Sequence, residues 1–242
     1  MNTLSSLRRN LPLYLSIKQA MLKRLADGVW VRGSKLPPEP ELAKMFGVSI
    51  GTIRKAVDEL VIEDILIRYQ GRGTYISNHE SQSHFFKFFR IARKDGLQSF
   101  PVSKVRFFEK IKPSEEVREA LQLGRNDVVF HFYNSLSINN DSVMIDEIFV
   151  PSSHFKGLTR EVLEARKDTL YNFYQNKFAI NIVETKEKIS SGQLESKYTQ
   201  WLSAEEGKSI LIIKRVAYTY NQIPIEFRIS RVANDDYEYL VP

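Results

Sequence analysis

Cysteine is absent from this 242-residue sequence. Its absence excludes disulfide bonds, thiolate metal sites and cysteine nucleophiles. No run of about 18 apolar residues occurs either, so we expect no transmembrane helix and no membrane partner. The first ten residues, MNTLSSLRRN, lack the apolar core of a signal peptide. We therefore expect a cytoplasmic protein of bacterial type.

The short motifs of common enzyme sites are missing as well. The four histidines show no metal-ligand spacing, and no P-loop, GxGxxG or GxSxG sequence occurs. His131 lies in an apolar strand pattern and is predicted to be a hydrogen-bonded core residue rather than a catalytic one. We therefore expect a protein that is not an enzyme, with no catalytic residue, no cofactor and no metal.

Negative charge is scarce in the first third of the chain. Residues 1–78 contain 12 Lys and Arg against 7 Asp and Glu, whereas residues 79–242 contain 23 against 22. This asymmetry indicates an N-terminal module that binds a polyanion and a near-neutral module with another task. A basic face that is merely solvated is the alternative.

Hydrophobic periodicity predicts three helices at the N-terminus. The first covers roughly residues 13–27, and a proline-rich stretch at residues 37–40 begins the second. Gly47 forms the turn that follows, and Ser49 is predicted to cap the third helix. The sequence therefore predicts a helix-turn-helix.

A glycine-rich turn at residues 70–73 follows, between two short predicted strands at 65–69 and 74–76. Three helices and then a hairpin are the order of a winged helix-turn-helix, whose third helix enters the DNA major groove. A surface helical hairpin with solvated charges is the alternative, and each feature taken singly favours it. The ordered set, together with the charge asymmetry, favours binding of double-stranded DNA.

The predicted DNA-contacting residues lie at the start of the third helix and in the hairpin turn. Thr52 and Arg54 are placed to reach base edges or phosphates, and Lys55 to neutralise a phosphate. Glycines in the turn permit close approach of the backbone to the duplex. The full predicted set is Ser49, Ile50, Gly51, Thr52, Arg54, Lys55, Gln70, Gly71, Arg72 and Gly73.

Residues 11–78 closely resemble the DNA-binding domain of the GntR family of bacterial transcription regulators. Three linked motifs carry the resemblance: LPPEPEL at residues 36–42, VSIGTIR at 48–54 and QGRGT at 70–74. The resemblance implies that this region binds an operator sequence in DNA.

Two positions depart from the family pattern. Many members carry arginines that contact DNA where this sequence has Pro40 and Ile50. The departure implies an operator unlike the one most familiar for the family. Ile50 is suited to reading a thymine methyl group instead.

The second part of the chain mixes strands and helices after a predicted interdomain linker at residues 79–98. Two long hairpins of matching length indicate an antiparallel sheet covered by helices, so the predicted fold class is α+β. The predicted domains are a winged helix-turn-helix at residues 1–78 and an effector-binding and dimerisation domain at 99–242. Strands are expected near 102–109, 128–138, 143–150, 180–190, 209–220 and 223–232, and helices near 114–121, 159–176 and 194–202.

With the motifs DTLY at 168–171 and QIPIE at 222–226, the region of about 95–240 resembles the UTRA ligand-sensing domain of the HutC-type branch of the GntR family. The resemblance implies a fold similar to chorismate lyase: an antiparallel sheet with flanking helices and a ligand cavity. Relatives that sense sugar phosphates use two strand arginines where this chain has Ser135 and Ser137, which argues against a phosphorylated effector. The candidate effector-binding residues are Ser135, Ser137, Glu147, Thr169, Tyr171, Glu226 and Arg228.

Four of these candidates have structural alternatives. Strand alternation places Glu147 among apolar residues, where it either pairs with a structural arginine or lines the ligand pocket. Glu226 and Arg228 share a strand face and form either a surface ion pair or part of the site. Tyr171 suits the core equally well.

These observations predict a ligand-responsive transcription regulator, a repressor that binds a pseudo-palindromic operator as a homodimer. A small metabolite in the C-terminal domain would modulate DNA binding through the linker. One alternative is an enzyme of chorismate-lyase type with an accessory DNA-binding domain. The other is a DNA-binding protein that responds to no effector.

Overall fold

The computed structural model describes residues 12–31, 33–63, 65–77, 82–233 and 235–241, with backbone only at 82–84. The chain divides into two compact units, residues 1–78 and 79–242. The prediction for the N-terminal ten residues and the first part of the predicted linker lie outside the described residues. Within the described ranges, no helix is long and apolar enough to cross a membrane.

The N-terminal unit contains the three predicted helices: α1 Leu13–Ala26, α2 Glu39–Phe46 and α3 Ile50–Ile62. Pro40 lies in the first turn of α2, where a helix tolerates the missing N–H. Gly47 ends α2 with φ of 65°, a left-handed conformation that glycine adopts without strain. The three helices bury Met21, Leu42 and Leu60 completely in a shared core.

A short antiparallel hairpin completes this unit. It consists of β1 Leu66–Tyr69 and β2 Gly73–Ile76, with Tyr69 opposite Gly73. Gly71 turns the chain between the strands with φ of 71°. The winged helix-turn-helix order predicted from the sequence is confirmed.

The C-terminal unit is built on a six-stranded antiparallel sheet of order β4-β5-β6-β9-β8-β7. The two predicted hairpins, β5–β6 and β8–β9, lie side by side at its centre. The strands are β4 Val102–Ile111, β5 Val129–Ile138, β6 Asp141–Pro151, β7 Glu184–Gln193, β8 Ser209–Thr219 and β9 Ile223–Val232.

Helices cover both faces of this sheet. Phe132 of β5 packs with α6 and α7, whereas Val129 of the same strand packs with α5 on the opposite face. Ile145 of β6 packs with α8. Because side chains alternate along each strand, the two faces of the sheet contribute to two separate hydrophobic cores. The helices are α5 Glu115–Ala120, α6 Arg160–Glu164, α7 Leu170–Phe178 and α8 Ser196–Thr199.

The described part of the predicted linker forms regular secondary structure. Residues 82–98 contain α4 Gln82–Phe88 and β3 Ile91–Arg93, and β3 pairs with β10 Tyr237–Tyr239 of the same unit. Phe88 is buried in the core beneath α7. The aromatic side chains of this stretch therefore belong to the C-terminal unit.

One predicted helix, at residues 159–176, is two helices in the structure. α6 ends at Glu164, and Thr169 caps α7 by accepting a hydrogen bond from the Asn172 N–H at 3.4 Å. A threonine or serine that competes for backbone donors favours a new helix start over a continued helix. The segment between α6 and α7 is thereby free to line a cavity.

The core of the N-terminal unit supports a prediction on α3. Leu60→Ala should lower the opening free energy of the unit by about 2–5 kcal/mol, because a fully buried leucine leaves a cavity. Hydrogen exchange of the α1 and α3 amides measures this. Ile62→Ala, at a position that is 77% exposed on the same helix, is the control. Equal effects from both variants would contradict the packing described.

Candidate DNA-reading surface and effector cavity

The candidates on α3 lie in its first two turns. Ser49 caps the helix: its Oγ accepts a hydrogen bond from the Thr52 N–H at 3.2 Å and lies 2.9 Å from the Thr52 Oγ1. This is the cap that the sequence predicts, and it satisfies a donor that a helix start leaves free. The cap fixes the direction in which positions 50–55 point.

Side chains off the buried stripe of α3 face solvent. Ile50 is 44% exposed although it is large and apolar, and Arg54 and Lys55 are exposed beside it. A Cβ atom added at Gly51 would meet only the Ser49 Oγ, at 3.9 Å. Packing among the described residues therefore does not require glycine at position 51.

Glu39 and Asp58 both connect α3 with the hairpin, and Asp58 Oδ1 of α3 lies 2.9 Å from Arg68 Nη2 of β1. Arg54 Nε donates to Glu39 Oε2 at 3.0 Å, and Arg68 Nη2 of β1 lies 3.6 Å from Glu39 Oε1. Partly exposed pairs of this kind contribute at most about 1 kcal/mol to stability. Their consequence is orientation, because Glu39 holds the Arg54 guanidinium on the side of α3 that faces the hairpin.

The hairpin turn presents the remaining candidates. Gln70, Gly71 and Arg72 are exposed at its tip. Gly73 has φ of 103°, a backbone conformation that residues with a Cβ rarely adopt, so this position favours glycine. The turn and the start of α2 line a common groove of about 490 Å³. The structure thus joins both predicted DNA-contacting groups in one unit.

The C-terminal unit contains a cavity of about 470 Å³ between the sheet, α4 and the start of α7. Its volume is in the range of small-molecule sites. Of the predicted effector residues, Thr169, Tyr171 and Arg228 line it. The whole lining consists of Phe85, Phe88, Phe89, Phe100, Pro101, Val102, Ser103, Asn134, Leu136, Asp146, Arg166, Lys167, Asp168, Thr169, Leu170, Tyr171, Arg215 and Arg228.

A buried charge cluster supports this cavity. Arg228 donates to both carboxylate oxygens of Glu226, from Nε at 2.9 Å and from Nη2 at 3.0 Å, and from Nη1 to Asp146 Oδ2 at 3.0 Å. Ser230 Oγ donates to the other Asp146 oxygen at 2.5 Å. Glu226 and Asp146 are completely buried, so the surface alternative for the Glu226–Arg228 pair is wrong. Strand β9 lies at the sheet centre beneath α7, which buries the pair.

Two tyrosines of α7 bind this cluster from above. Tyr171 Oη donates to Glu226 Oε1 at 3.1 Å, and Tyr174 Oη donates to Glu226 Oε2 at 2.8 Å. Burial and then the Glu226 charge raise the pKa of Tyr171 to about 12, so it remains a donor. Burial also raises the pKa of Asp146, although Arg228 and Ser230 act in the opposite direction. Tyr171 is therefore both a core residue and a cavity residue.

Ser135, Ser137 and Glu147 do not line the cavity. Ser135 Oγ instead accepts a hydrogen bond from Arg106 Nε at 2.7 Å. The residues of these strands that reach the cavity are their neighbours Asn134, Leu136 and Asp146. Both sheet faces are covered by helices, so alternation alone cannot tell which face holds the cavity.

Glu147 lies on the opposite face, where it meets the structural arginine that the sequence left as an alternative. Its carboxylate binds Arg231 at 3.0 Å, the His131 Nε2 at 3.1 Å and the hydroxyls of Tyr198 and Tyr133 at 3.0 and 3.2 Å. His131 is buried and hydrogen-bonded, as predicted. This group therefore fastens β5, β6 and β9 to α8.

Sequence reasoning missed several cavity residues. Arg166 and Arg215 carry no motif, and Asp146 is the neighbour of a residue that was chosen. The aromatic residues Phe85 and Phe88 stand in a conspicuous cluster, FFKFFR, at residues 85–90. That cluster was assigned to the linker, so its role as a cavity wall was not predicted.

Two family models match the chain. The model described as bacterial regulatory proteins of the gntR family matches residues 13–76, and the model of the UTRA domain matches residues 98–238. The protein belongs to the GntR family of UTRA-domain transcription regulators. Its two units correspond to the DNA-binding and ligand-sensing parts that the sequence resemblance implies.

Named relatives of this GntR-family protein are regulators. A transcriptional repressor from Escherichia coli K12, named for the fructoselysine utilization operon, is 28% identical over 219 residues, covering 88% of this chain and 87% of the relative. The transcriptional regulator GmuR of Bacillus subtilis 168 is 27% identical over 228 residues, which cover 93% of this chain and 95% of GmuR. A crystal structure of the ligand-binding domain assigned to a GntR-family regulator of Bordetella bronchiseptica is 28% identical, with a TM-score of 0.60, covering 63% of this chain and 95% of that domain.

The Glu147 site of the UTRA domain predicts a specific acid sensitivity. Burial opposes ionisation of Glu147, but the bonds and charge around it outweigh burial and lower its pKa to about 2 from 4.5. The hydrogen bonds come from His131 and Tyr198, and the charge comes from Arg231. A lowered folded-state pKa means that this stability is present above about pH 4.5 and is lost as pH falls towards 2.

Glu147→Gln should therefore destabilise the protein at neutral pH and flatten the decline in stability between about pH 4.5 and 2. Urea unfolding across this pH range measures it. Glu164→Gln, in an exposed pair with Arg160, is the control and should keep the wild-type pH profile. If the free energy of unfolding of Glu147→Gln fell between pH 4.5 and 2 as steeply as that of the wild type, groups other than Glu147 would be responsible for the decline.

Proposed function

We propose that this protein represses transcription by binding a pseudo-palindromic operator as a homodimer, and that a small metabolite in the 470 Å³ cavity modulates this binding. The observation that carries the proposal is the exposed start of α3, with Ile50, Arg54 and Lys55 facing solvent beside a basic hairpin turn. A regulator that acts on chromosomal DNA works in the cytoplasm.

The start of α3 has the chemistry of major-groove readout. A guanidinium pairs with guanine O6 and N7, and an apolar side chain contacts a thymine methyl group, so Arg54 and Ile50 supply two distinct base contacts. Gly51 between them lets the helix end approach the bases. Lys55 and Arg72 neutralise phosphates, which makes the affinity depend on salt.

Two copies of the chain are needed for a specific operator. One winged helix reads a half-site of a few base pairs, and a two-fold symmetric dimer reads two such half-sites in inverted order. In the proposal, the UTRA domain provides the dimer contact. The charge supports the same assignment, because the excess of cations lies in the N-terminal unit and leaves the other near neutral.

Effector control follows from the position of α4. Its residues Phe85 and Phe88 form part of the cavity wall, and α4 begins only four residues after the end of the N-terminal unit. A ligand in the cavity therefore packs against the segment that leads to the DNA-binding unit. Differential binding to two positions of that segment would couple the sites.

The two alternatives are less favoured. An enzyme of chorismate-lyase type is opposed by the named relatives, which are transcription regulators. Turnover of chorismate by the purified protein would be the evidence for it. An effector-independent DNA-binding protein would have no need of a cavity lined by polar groups and aromatic rings.

Arg54→Ala should weaken binding to the operator by more than 1 kcal/mol, about fivefold or more, since it removes a base contact. Gel-shift titration on a duplex obtained by selection from random sequences measures this. Arg160→Ala is the matched control, because Arg160 is also an exposed arginine paired with a glutamate but lies on α6. Unchanged operator affinity in Arg54→Ala would remove Arg54 from the reading surface.

A further inference from the structure

Three arginines line the cavity, and two of them are neutralised by the protein itself. Arg228 is paired with Glu226 and Asp146. Arg215 donates from Nε to Glu187 Oε1 at 2.5 Å and from Nη2 to the Phe88 carbonyl oxygen at 2.5 Å. Each of these guanidiniums therefore has a carboxylate as a counter-charge.

The third, Arg166, has only neutral partners. It lies between α6 and α7 and donates from Nη1 to the Leu163 carbonyl oxygen at 2.7 Å. Its Nη2 donates to Ser103 Oγ at 2.6 Å and to Asn134 Oδ1 at 3.0 Å. No carboxylate among the described residues forms an ion pair with it, and its Nε is buried without a hydrogen-bond partner.

Arg166 is partly exposed as a residue, but its Nε is buried, and a guanidinium that is partly removed from solvent is unfavourable unless something balances its charge. Burial lowers the pKa of Arg166, and the positive charge of Arg228 lowers it further against an opposing contribution from Tyr174. The cavity beside it is open to a small molecule. The two charged side chains that follow, Lys167 and Asp168, are exposed and opposite in sign, so they leave the local charge positive.

We propose that Arg166 is the counter-charge for an anionic group of the effector, a phosphate monoester or a carboxylate, bound in this cavity. The inference rests on the proposed role of the cavity as the effector site. The fork of a guanidinium suits both anions through paired hydrogen bonds. The aromatic wall of Phe85, Phe88 and Phe89 then packs against the uncharged body of the same ligand.

This assignment changes the expectation about phosphorylated effectors. Two strand arginines used by some relatives are absent here, and that absence argued against a phosphate. The structure supplies a guanidinium from another element, the segment between α6 and α7, and it reaches β5 by bonding to Asn134.

The test compares the full-length protein with Arg166→Gln, Arg166→Lys and the control Arg160→Gln. Sodium phosphate and sodium acetate are the two probes, each set against sodium chloride at equal ionic strength. We expect at least one probe to raise the Tm of the wild type and of Arg160→Gln above the chloride value. The probe that raises the Tm identifies the bound anion: phosphate if sodium phosphate does so, and carboxylate if sodium acetate does so.

Arg166→Gln should lose this shift, with an apparent affinity at least tenfold weaker, and Arg166→Lys should keep part of it because the charge remains. Without a probe, Arg166→Gln should unfold at or above the wild-type Tm, since an uncompensated charge has been removed. Hydrogen exchange of residues 160–178 locates the effect, because probe-dependent protection there should disappear in Arg166→Gln and persist in Arg160→Gln.

Two results would overturn the inference. One is the absence of any shift beyond chloride in the wild type. The other is an equal shift and equal protection of residues 160–178 in the wild type and Arg166→Gln. Operator binding of the wild type and of Arg160→Gln, measured without either probe, separates this failure from that of the proposed function, because both should bind the operator whether or not the cavity binds an anion.

Discussion

The buried bond between Arg228 and Glu226 is the interaction on which the C-terminal unit depends. It joins a central strand to β6 through Asp146 and to α7 through the hydroxyls of Tyr171 and Tyr174. A buried ion pair is tolerated only when its remaining polar atoms are satisfied, and here hydroxyls and a second carboxylate satisfy them. The cluster fixes the start of α7 above the sheet, and that spacing leaves room for the cavity.

The same constraint explains how charge is distributed around the cavity. Arg228 and Arg215 are held by carboxylates and act as fixed parts of the wall, whereas the partners of Arg166 within the described ranges are all neutral. In the N-terminal unit, α3 likewise contains some residues that stabilise the fold and others that do not. Its apolar stripe and the Ser49 cap stabilise the helix, and Ile50, Gly51 and Arg54 contribute little to packing. Their exposure is what the proposed contact with DNA requires.

Much of this architecture was predictable because it follows from local rules. The cap at Ser49, the turn at Gly47 and the two central hairpins each have a short-range cause in the sequence. The face of the sheet was not predictable, since helices cover both sides and Asp146 and Glu147 are adjacent. Arg166 could not be predicted as a cavity residue for a different reason. Its feature of interest is that no carboxylate among the described residues pairs with it, and the partners of a side chain cannot be read from the sequence.

We propose that residues at the start of α3 contact the bases of one half of a symmetric DNA site. Selection of bound duplexes from a random pool by the full-length protein tests it most directly. A symmetric dimer should enrich an inverted repeat with two equal half-sites, about one helical turn apart or a multiple of it. Recovery of an asymmetric single site, or no enrichment over the starting pool, would contradict it.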